Sequence, residues 1–212
     1  MFAFMRFGLV LVALAAPLST VAIADNVIAQ WDQVKPPPAP ALKPAKVEAE
    51  KTALLLFDFT TQTCTEKVRP RCWANVPGLA RLLADARANK ALVIFSVAQV
   101  GTDRKDVLPE IKPLDSEEVL PSLGPDKFLA SDFEKDLKAK GITTLILTGT
   151  AAHSTVLHTG ASAALRGFNV IVPVDGMSSN ESYSESYTAW HLANAARVSA
   201  KVTLTRVDMI SY

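Results

Sequence analysis

Asp58 closes an uninterrupted apolar run, Leu54-Leu55-Leu56-Phe57, and is the first residue of the chain that invites a chemical reading. A carboxylate at the end of a buried strand either caps a neighbouring loop or serves general acid or base work in a crevice. Lys127 opens the stretch Lys127-Phe128-Leu129-Ala130-Ser131-Asp132-Phe133. Taken alone it reads as a surface lysine before a helix, since lysines are mostly exposed. Ser131 or Asp132 would then cap that helix. The third segment is Gly149-Thr150-Ala151-Ala152-His153-Ser154-Thr155-Val156. Its small residues allow close backbone approach to a ligand. The first N–H groups of a helix favour negative charge, so an oxyanion hole is one reading and an ordinary strand-to-helix turn the other.

Other polar residues are less telling. His153 is either a general base beside Thr155 or a loop histidine bonded to its surroundings. His158 and His191 read as helix packing, and the three histidines are too scattered to predict a metal site. Trp73 and Phe59 either line a pocket near Asp58 or belong to the core. Asp175 before Gly176 suits a turn. The stretch from Ser178 to Ser186, with five serines and Tyr183, is expected to be a polar loop over the site or at an oligomer interface.

Chemistry at these positions needs elements to hold it. Thr52–Asp58, Ala91–Val97, Ile142–Thr148 and Phe168–Val174 are apolar without alternation, as in strands buried on both faces, and Val202–Thr205 is a weaker fifth. Between them lie helical patterns. Val76, Leu79, Leu83 and Ala86 recur at helical spacing up to Lys90. Asp132–Lys140 stops at Gly141, Thr155–Arg166 stops at Gly167, and Tyr187–Ala196 is the last helix. Alternating strands and helices predict an α/β fold, a mostly parallel sheet covered on both faces. Ligands of such sheets bind at the carboxyl ends of strands near the switch in strand order, which directs attention to Asp58 and to 149–155.

The ends of the chain carry a different signal. Arg6 is the only early charge, Gly8 to Pro17 is apolar, and Ala22-Ile23-Ala24 has the small-x-small form of a cleavage site. Residues 1–24 are therefore expected to be a signal peptide cut before Asp25, which implies a periplasmic or secreted protein. An uncleaved anchor is the alternative, although the apolar run is short beside the roughly 20 residues of a membrane span. Residues 25–51, with five prolines between Lys35 and Lys46, are expected to form an extended tether, and 52–212 the folded domain. Cys64 and Cys72 are the only cysteines. In an oxidising compartment they could close a small loop, or they remain two thiols. The 22 basic and 21 acidic residues give a net charge of +1, without the basic excess of a nucleic-acid binder.

Taken in order, Asp58, Lys127 and the Gly149 loop resemble the isochorismatase-like, or cysteine hydrolase, superfamily. It includes isochorismatases, nicotinamidases, N-carbamoylsarcosine amidohydrolases and ureidoacrylate amidohydrolases. The resemblance runs from about Ala53 to the C-terminus. Asp58 matches the aspartate that ends the first strand. Lys127, Ser131 and Phe133 match a K-x-x-x-S-x-F pattern, and Gly149 onward matches the loop before the nucleophile helix. Ala163, Gly167 and the stretch 170–175 match a later helix end, glycine, strand and aspartate. The resemblance implies a three-layer, Rossmann-like fold, Asp58, Lys127 and Thr155 at the catalytic positions, and an oxyanion or substrate-binding loop of Thr150, Ala151 and His153. It also implies a cis bond between Thr150 and Ala151, and leaves a homo-oligomer open.

One position departs from the pattern. Where the superfamily carries its cysteine, this chain has Thr155. A helix-start cysteine can be a thiolate near neutral pH. A threonine hydroxyl is far less acidic and needs a strong adjacent base. Isochorismatases proper also lack the cysteine and carry an Ala-His pair, matched here by Ala152-His153. In that branch an acidic aspartate protonates a vinyl ether and water completes hydrolysis, so the resemblance implies Asp58 as proton donor and Lys127 as the residue that raises ligand affinity or holds charge nearby. The expectation is a hydrolase of a small molecule that uses Asp58 and Lys127 without a cysteine, with no cofactor, nucleic acid or membrane partner. The alternative is a binding or scaffold protein that kept the fold and lost the nucleophile.

Overall fold

A computed structural model describes residues 26–98, 101–121, 124–129 and 132–212. The expected signal peptide and Ser131 lie outside the described residues. Two compact units divide the chain at Pro36/Pro37. In the first, α1 (Val27–Gln30) is a single turn capped by the Asn26 side chain, which accepts from the N–H groups of Ile28 and Ala29.

The second unit is a sheet wrapped by helices. Its strands are β1 (Ala45–Lys46), β2 (Thr52–Phe57), β3 (Leu92–Ser96), β4 (Glu118–Leu120), β5 (Thr144–Thr150), β6 (Asn169–Pro173), β7 (Met177–Ser178), β8 (Val202–Thr205) and β9 (Ile210–Ser211). Its helices are α2 (Pro70–Ala88), α3 (Phe133–Ala139), α4 (Leu157–Leu165) and α5 (Ser182–Asn194). The main sheet runs β4-β3-β2-β5-β6-β8, with β7 also on β5, and every pairing is parallel. The chain lays down β2, β3 and β4 outward in one direction. It then returns to the far side of β2 and builds β5, β6 and β8 in the other. The strand order therefore reverses between β2 and β5.

The apolar runs explain this placement. All six residues of β2 are buried, because both faces of the strand are covered. Leu54 and Leu56 pack with Val76, Leu79 and Leu83 of α2. Leu55 and Phe57 pack with Leu137 of α3, Leu157 of α4 and Leu192 of α5. Two cores on opposite faces of one sheet make the three-layer α/β fold that the sequence predicts. α4 stops at Gly167, whose φ of +94° is a conformation that costs glycine little.

The N-terminal boundary differs from expectation. Residues 37–51 are not all tether. Ala45–Lys46 pairs with Ile210–Ser211, and the Lys43 N–H donates to the Leu204 carbonyl at 2.9 Å. Ala45 and Val47 are buried, so apolar contacts as well as strand hydrogen bonds hold this end of the proline-rich segment. Short strands of two or three residues, such as β1, β4, β7 and β9, carry too little pattern to be read from sequence.

Gly149 shows how tightly β2 and β5 meet. A Cβ there would lie 2.9 Å from the Phe57 Cβ and 3.0 Å from the Val156 Cγ2. Both neighbours are buried, so neither can swing away. Gly149→Ala is expected to cost about 1–3 kcal/mol, the usual range for overpacking. Urea unfolding monitored by circular dichroism would read this as a lower midpoint at unchanged slope. An unchanged midpoint would show that the strand ends are looser than these contacts indicate.

Candidate active site

β2 and β5 run side by side with Phe57 opposite Gly149, so the next residues, Asp58 and Thr150, end adjacent strands at the point where strand order reverses. A continued extended strand would send the Asp58 side chain to the α2 face, since side chains alternate. Instead Asp58 has φ of +66°. Aspartate is among the few residues that enter the left-handed region readily, because its short polar side chain can bond locally. The reversal is secured from below. Asp58 N–H donates to the Ser96 carbonyl at 3.0 Å, while the Thr63 hydroxyl and the Thr60 N–H both donate to the Asp58 carbonyl.

The redirected carboxylate is 3% exposed and meets three donors. Ser96 Oγ donates to Oδ1 at 2.6 Å, and Thr155 Oγ1 donates to Oδ2 at 2.7 Å. Lys127 Nζ lies 3.5 Å from Oδ1. Each donor comes from a different element: Ser96 from the end of β3, Thr155 from the turn before α4, and Lys127 from the segment ahead of α3. Two hydroxyls and an ammonium thus surround one carboxyl group, so both of its oxygens act as hydrogen-bond acceptors.

Lys127 is not the surface lysine its local sequence suggests. It is 1% exposed, and its ammonium also donates to the Gly124 carbonyl at 3.2 Å and lies 5.7 Å from the Phe57 ring centroid. Its backbone is pinned by Thr159 of α4. That hydroxyl accepts from the Lys127 N–H at 3.2 Å and donates to the Pro125 carbonyl at 3.1 Å. Burial of a cation requires such partners, because an unpaired charge in the interior is costly.

The loop beyond Gly149 forms the other wall. The Thr150–Ala151 peptide bond is cis. Residues Ala152–Val156 form a wide π-helical turn that leads into α4. Ser179 fastens this turn: its Oγ accepts from the Ala152 N–H at 3.1 Å and lies 3.0 Å from His153 Nδ1. His153 is exposed and engaged with Ser179, so the group on the Thr155 hydroxyl is Asp58 rather than His153. Ser178 Oγ donates to Thr150 Oγ1 at 2.9 Å.

The stretch 178–186 is therefore not a surface loop throughout. Ser178 and Ser179 are fully buried against the site loop, and α5 begins at Ser182, five residues before the expected Tyr187. Serines weaken the helical pattern there, because they compete with the backbone for hydrogen bonds. His158 bonds the Ser154 carbonyl through Nδ1 at 2.7 Å, and His191 lies 3.4 Å from the Tyr187 hydroxyl. Phe59 belongs to the core on the α2 face, whereas Trp73 is 37% exposed. Asp175 shapes a turn by accepting from the Val207 N–H at 2.9 Å.

A disulfide joins Cys64 to Cys72, with Cα atoms 5.4 Å apart. It closes a ring between the Asp58 loop and the first turn of α2, and both of its residues are fully buried. Two arginines ride on this ring. Arg71 makes a two-point ion pair with Glu185 of α5, Nε to Oε1 at 2.9 Å and Nη2 to Oε2, and the hydrogen bond to Glu185 holds the guanidinium in its charged form. Glu185 Oε1 in turn accepts from the Ser179 N–H at 2.9 Å. Arg69 donates through Nε to Asn180 Oδ1 at 2.8 Å and through Nη1 to Thr150 Oγ1.

With this geometry in hand, comparison with known proteins gives a consistent answer. Residues 52–206 match the model of the isochorismatase domain. The secreted isochorismatase effector Isc1 of Verticillium dahliae is 24% identical over 144 residues, 63% of this chain and 76% of that protein. Among solved structures, an isochorismatase-like hydrolase from Alkaliphilus metalliredigens superposes with a TM-score of 0.66 at 24% identity, covering 74% of this chain and 95% of that one. N-carbamoylsarcosine amidase from Thermoplasma acidophilum gives 0.64 at 22% identity, over 74% and 97% of the two chains. The nicotinamidase of Staphylococcus aureus gives 0.63 at 16%, over 74% and 99%. At these identities the structural likenesses speak for the fold.

Proposed function

The chain belongs to the isochorismatase domain family, and on that footing we propose that it is a hydrolase of a small molecule in which Asp58, not a cysteine, carries the reaction. One observation supports this reading above the rest. Asp58, Lys127 and Thr155, drawn from three distant parts of the chain, converge at the switch point as one hydrogen-bonded group. Pairs of titratable groups held in such a crevice are characteristic of sites rather than of folding alone.

In this mechanism Asp58 accepts a proton from a water molecule as that water attacks the substrate, and returns it to the leaving group. Lys127 holds the Asp58 carboxyl group in position through both transfers. Thr155 orients Asp58 Oδ2 and, with Ala151, offers backbone N–H to the oxygen that gains charge. Water rather than Thr155 is taken as the nucleophile, because the Thr155 oxygen is buried on a branched carbon and a small water reaches the substrate more readily. His153 and Thr150 shape the entrance. We place the protein outside the cytoplasm, periplasmic or secreted. The buried disulfide and the secreted relative support that location.

A second reading has one observation in its favour. The Thr155 hydroxyl spends its proton on Asp58, so the group is satisfied without a substrate, as in a binding protein that retains the fold. Assaying the native protein and Thr155→Cys against small amides, ureides and vinyl ethers separates the two. The hydrolase reading expects turnover by the native protein, with Thr155→Cys altering substrate preference. Activity confined to Thr155→Cys would mean that the natural protein binds and does not hydrolyse.

A further inference from the structure

Arg69 is a cation near the site that has no carboxylate partner among the described residues. It lies inside the disulfide ring, at the residue that leads into α2, and its backbone is fixed on both sides. Its N–H donates to the Thr65 carbonyl at 2.8 Å, and its carbonyl accepts from Cys72 and Trp73 at 3.0 and 3.1 Å. The guanidinium is aimed across the strand ends at Thr150, the β5 neighbour of Asp58. Both of its side-chain partners, Asn180 and Thr150, are neutral. Among the described residues no carboxylate lies within 4.0 Å of it, whereas Arg71, two residues along the same ring, has Glu185. Burial pulls the Arg69 guanidinium below its ordinary pKa, and no charge partner offsets that pull. Nε and Nη1 hold the fork in place, while Nη2 has no protein acceptor among the described residues.

We infer that Arg69 receives an anionic group of the ligand, so that the small molecule taken by this site carries a carboxylate. The inference rests on the strand-end crevice being the ligand site. A half-buried cation without a counter-ion is unfavourable until an anion joins it. A guanidinium fork held by two neutral acceptors matches a planar carboxylate in a way that an ammonium does not. The disulfide ring gives the fork its rigidity, since both of its ends are anchored in the core. Arg69 thus acts as a specificity residue beside the Asp58 group, not as a proton carrier.

Benzoate and its uncharged counterpart benzamide provide the test, with affinities for the oxidised full-length protein measured by calorimetry. The native protein is expected to prefer benzoate. Arg69→Gln should weaken benzoate at least tenfold and leave benzamide unchanged, and Arg69→Lys should fall between. Arg71→Gln should leave the preference intact. Because Arg69→Gln could disturb the ring, the native protein is also treated with phenylglyoxal. Benzoate should protect Arg69 from modification, read by peptide mass spectrometry, and benzamide should not. Equal loss of both ligands in Arg69→Gln, no preference in the native protein, or no protection would each overturn the inference. Benzoate binding through Arg69 by a protein that hydrolyses nothing would sink the hydrolase reading and leave this one standing. Hydrolysis that is indifferent to substrate charge and to Arg69→Gln would do the reverse.

Discussion

Asp58→Asn is expected to lower kcat by about a thousandfold, within the 10²–10⁴ that general acid–base groups contribute. The substitution keeps the volume and one acceptor oxygen. Ser96 or Thr155 can still donate to it, and the other hydroxyl can turn to accept from the new amide. What it removes is the capacity to take up and return a proton. KM should therefore change much less than kcat, the pattern of an interaction made in the transition state. The variant leaves the Lys127 ammonium without its counter-charge and should also melt earlier. Turnover is accordingly compared at 25 °C after circular dichroism has confirmed the folded state. A kcat within threefold of the native value would remove Asp58 from the mechanism. A matched rise in KM without a fall in kcat would recast it as a binding residue.

This prediction depends on geometry that sequence reading reached only in part. The strand that delivers Asp58 was plain, because Leu54-Leu55-Leu56-Phe57 is buried on both faces and its lack of alternation says so. The positive φ that turns the carboxylate towards α4 was not, since nothing in residue type forces an aspartate into that conformation. Lys127 came from a family pattern. Its own neighbourhood argues for the surface, and its burial follows from distant partners, Thr159 at its backbone and Asp58 at its ammonium. Ser96 carries no signal in the sequence. It is one small polar residue at the end of an apolar strand, and its partner is 38 positions away. Arg69 is silent for the same reason, its contact with Thr150 spanning 81 positions. Local periodicity reports which face of an element is buried. It does not report which strand ends become neighbours, and the site is assembled from strand ends.

The second large effect is on stability and concerns Lys127. Removing one member of a buried ion pair typically costs 3–5 kcal/mol, because the remaining charge stays desolvated. Lys127→Met keeps most of the side-chain volume, and Asp58 retains the Ser96 and Thr155 hydroxyls, so the loss should fall near the low end, about 3 kcal/mol. For a domain of this size that corresponds to a drop of roughly 6–12 °C in Tm. The informative measurement is the double variant. Asp58→Asn with Lys127→Met removes both charges and leaves a polar group facing a methionine of similar shape. If the two side chains form a coupled pair, the double variant should be more stable than the sum of the single losses predicts, by at least about 1 kcal/mol. Simple additivity would mean that the 3.5 Å approach contributes little and that Lys127 is held by the Gly124 carbonyl and the surrounding core. Coupling in stability together with loss of turnover in each single variant would place the cost of burying this pair where it belongs, in the requirements of the reaction rather than of folding, since an apolar pair of the same volume would fold as well or better.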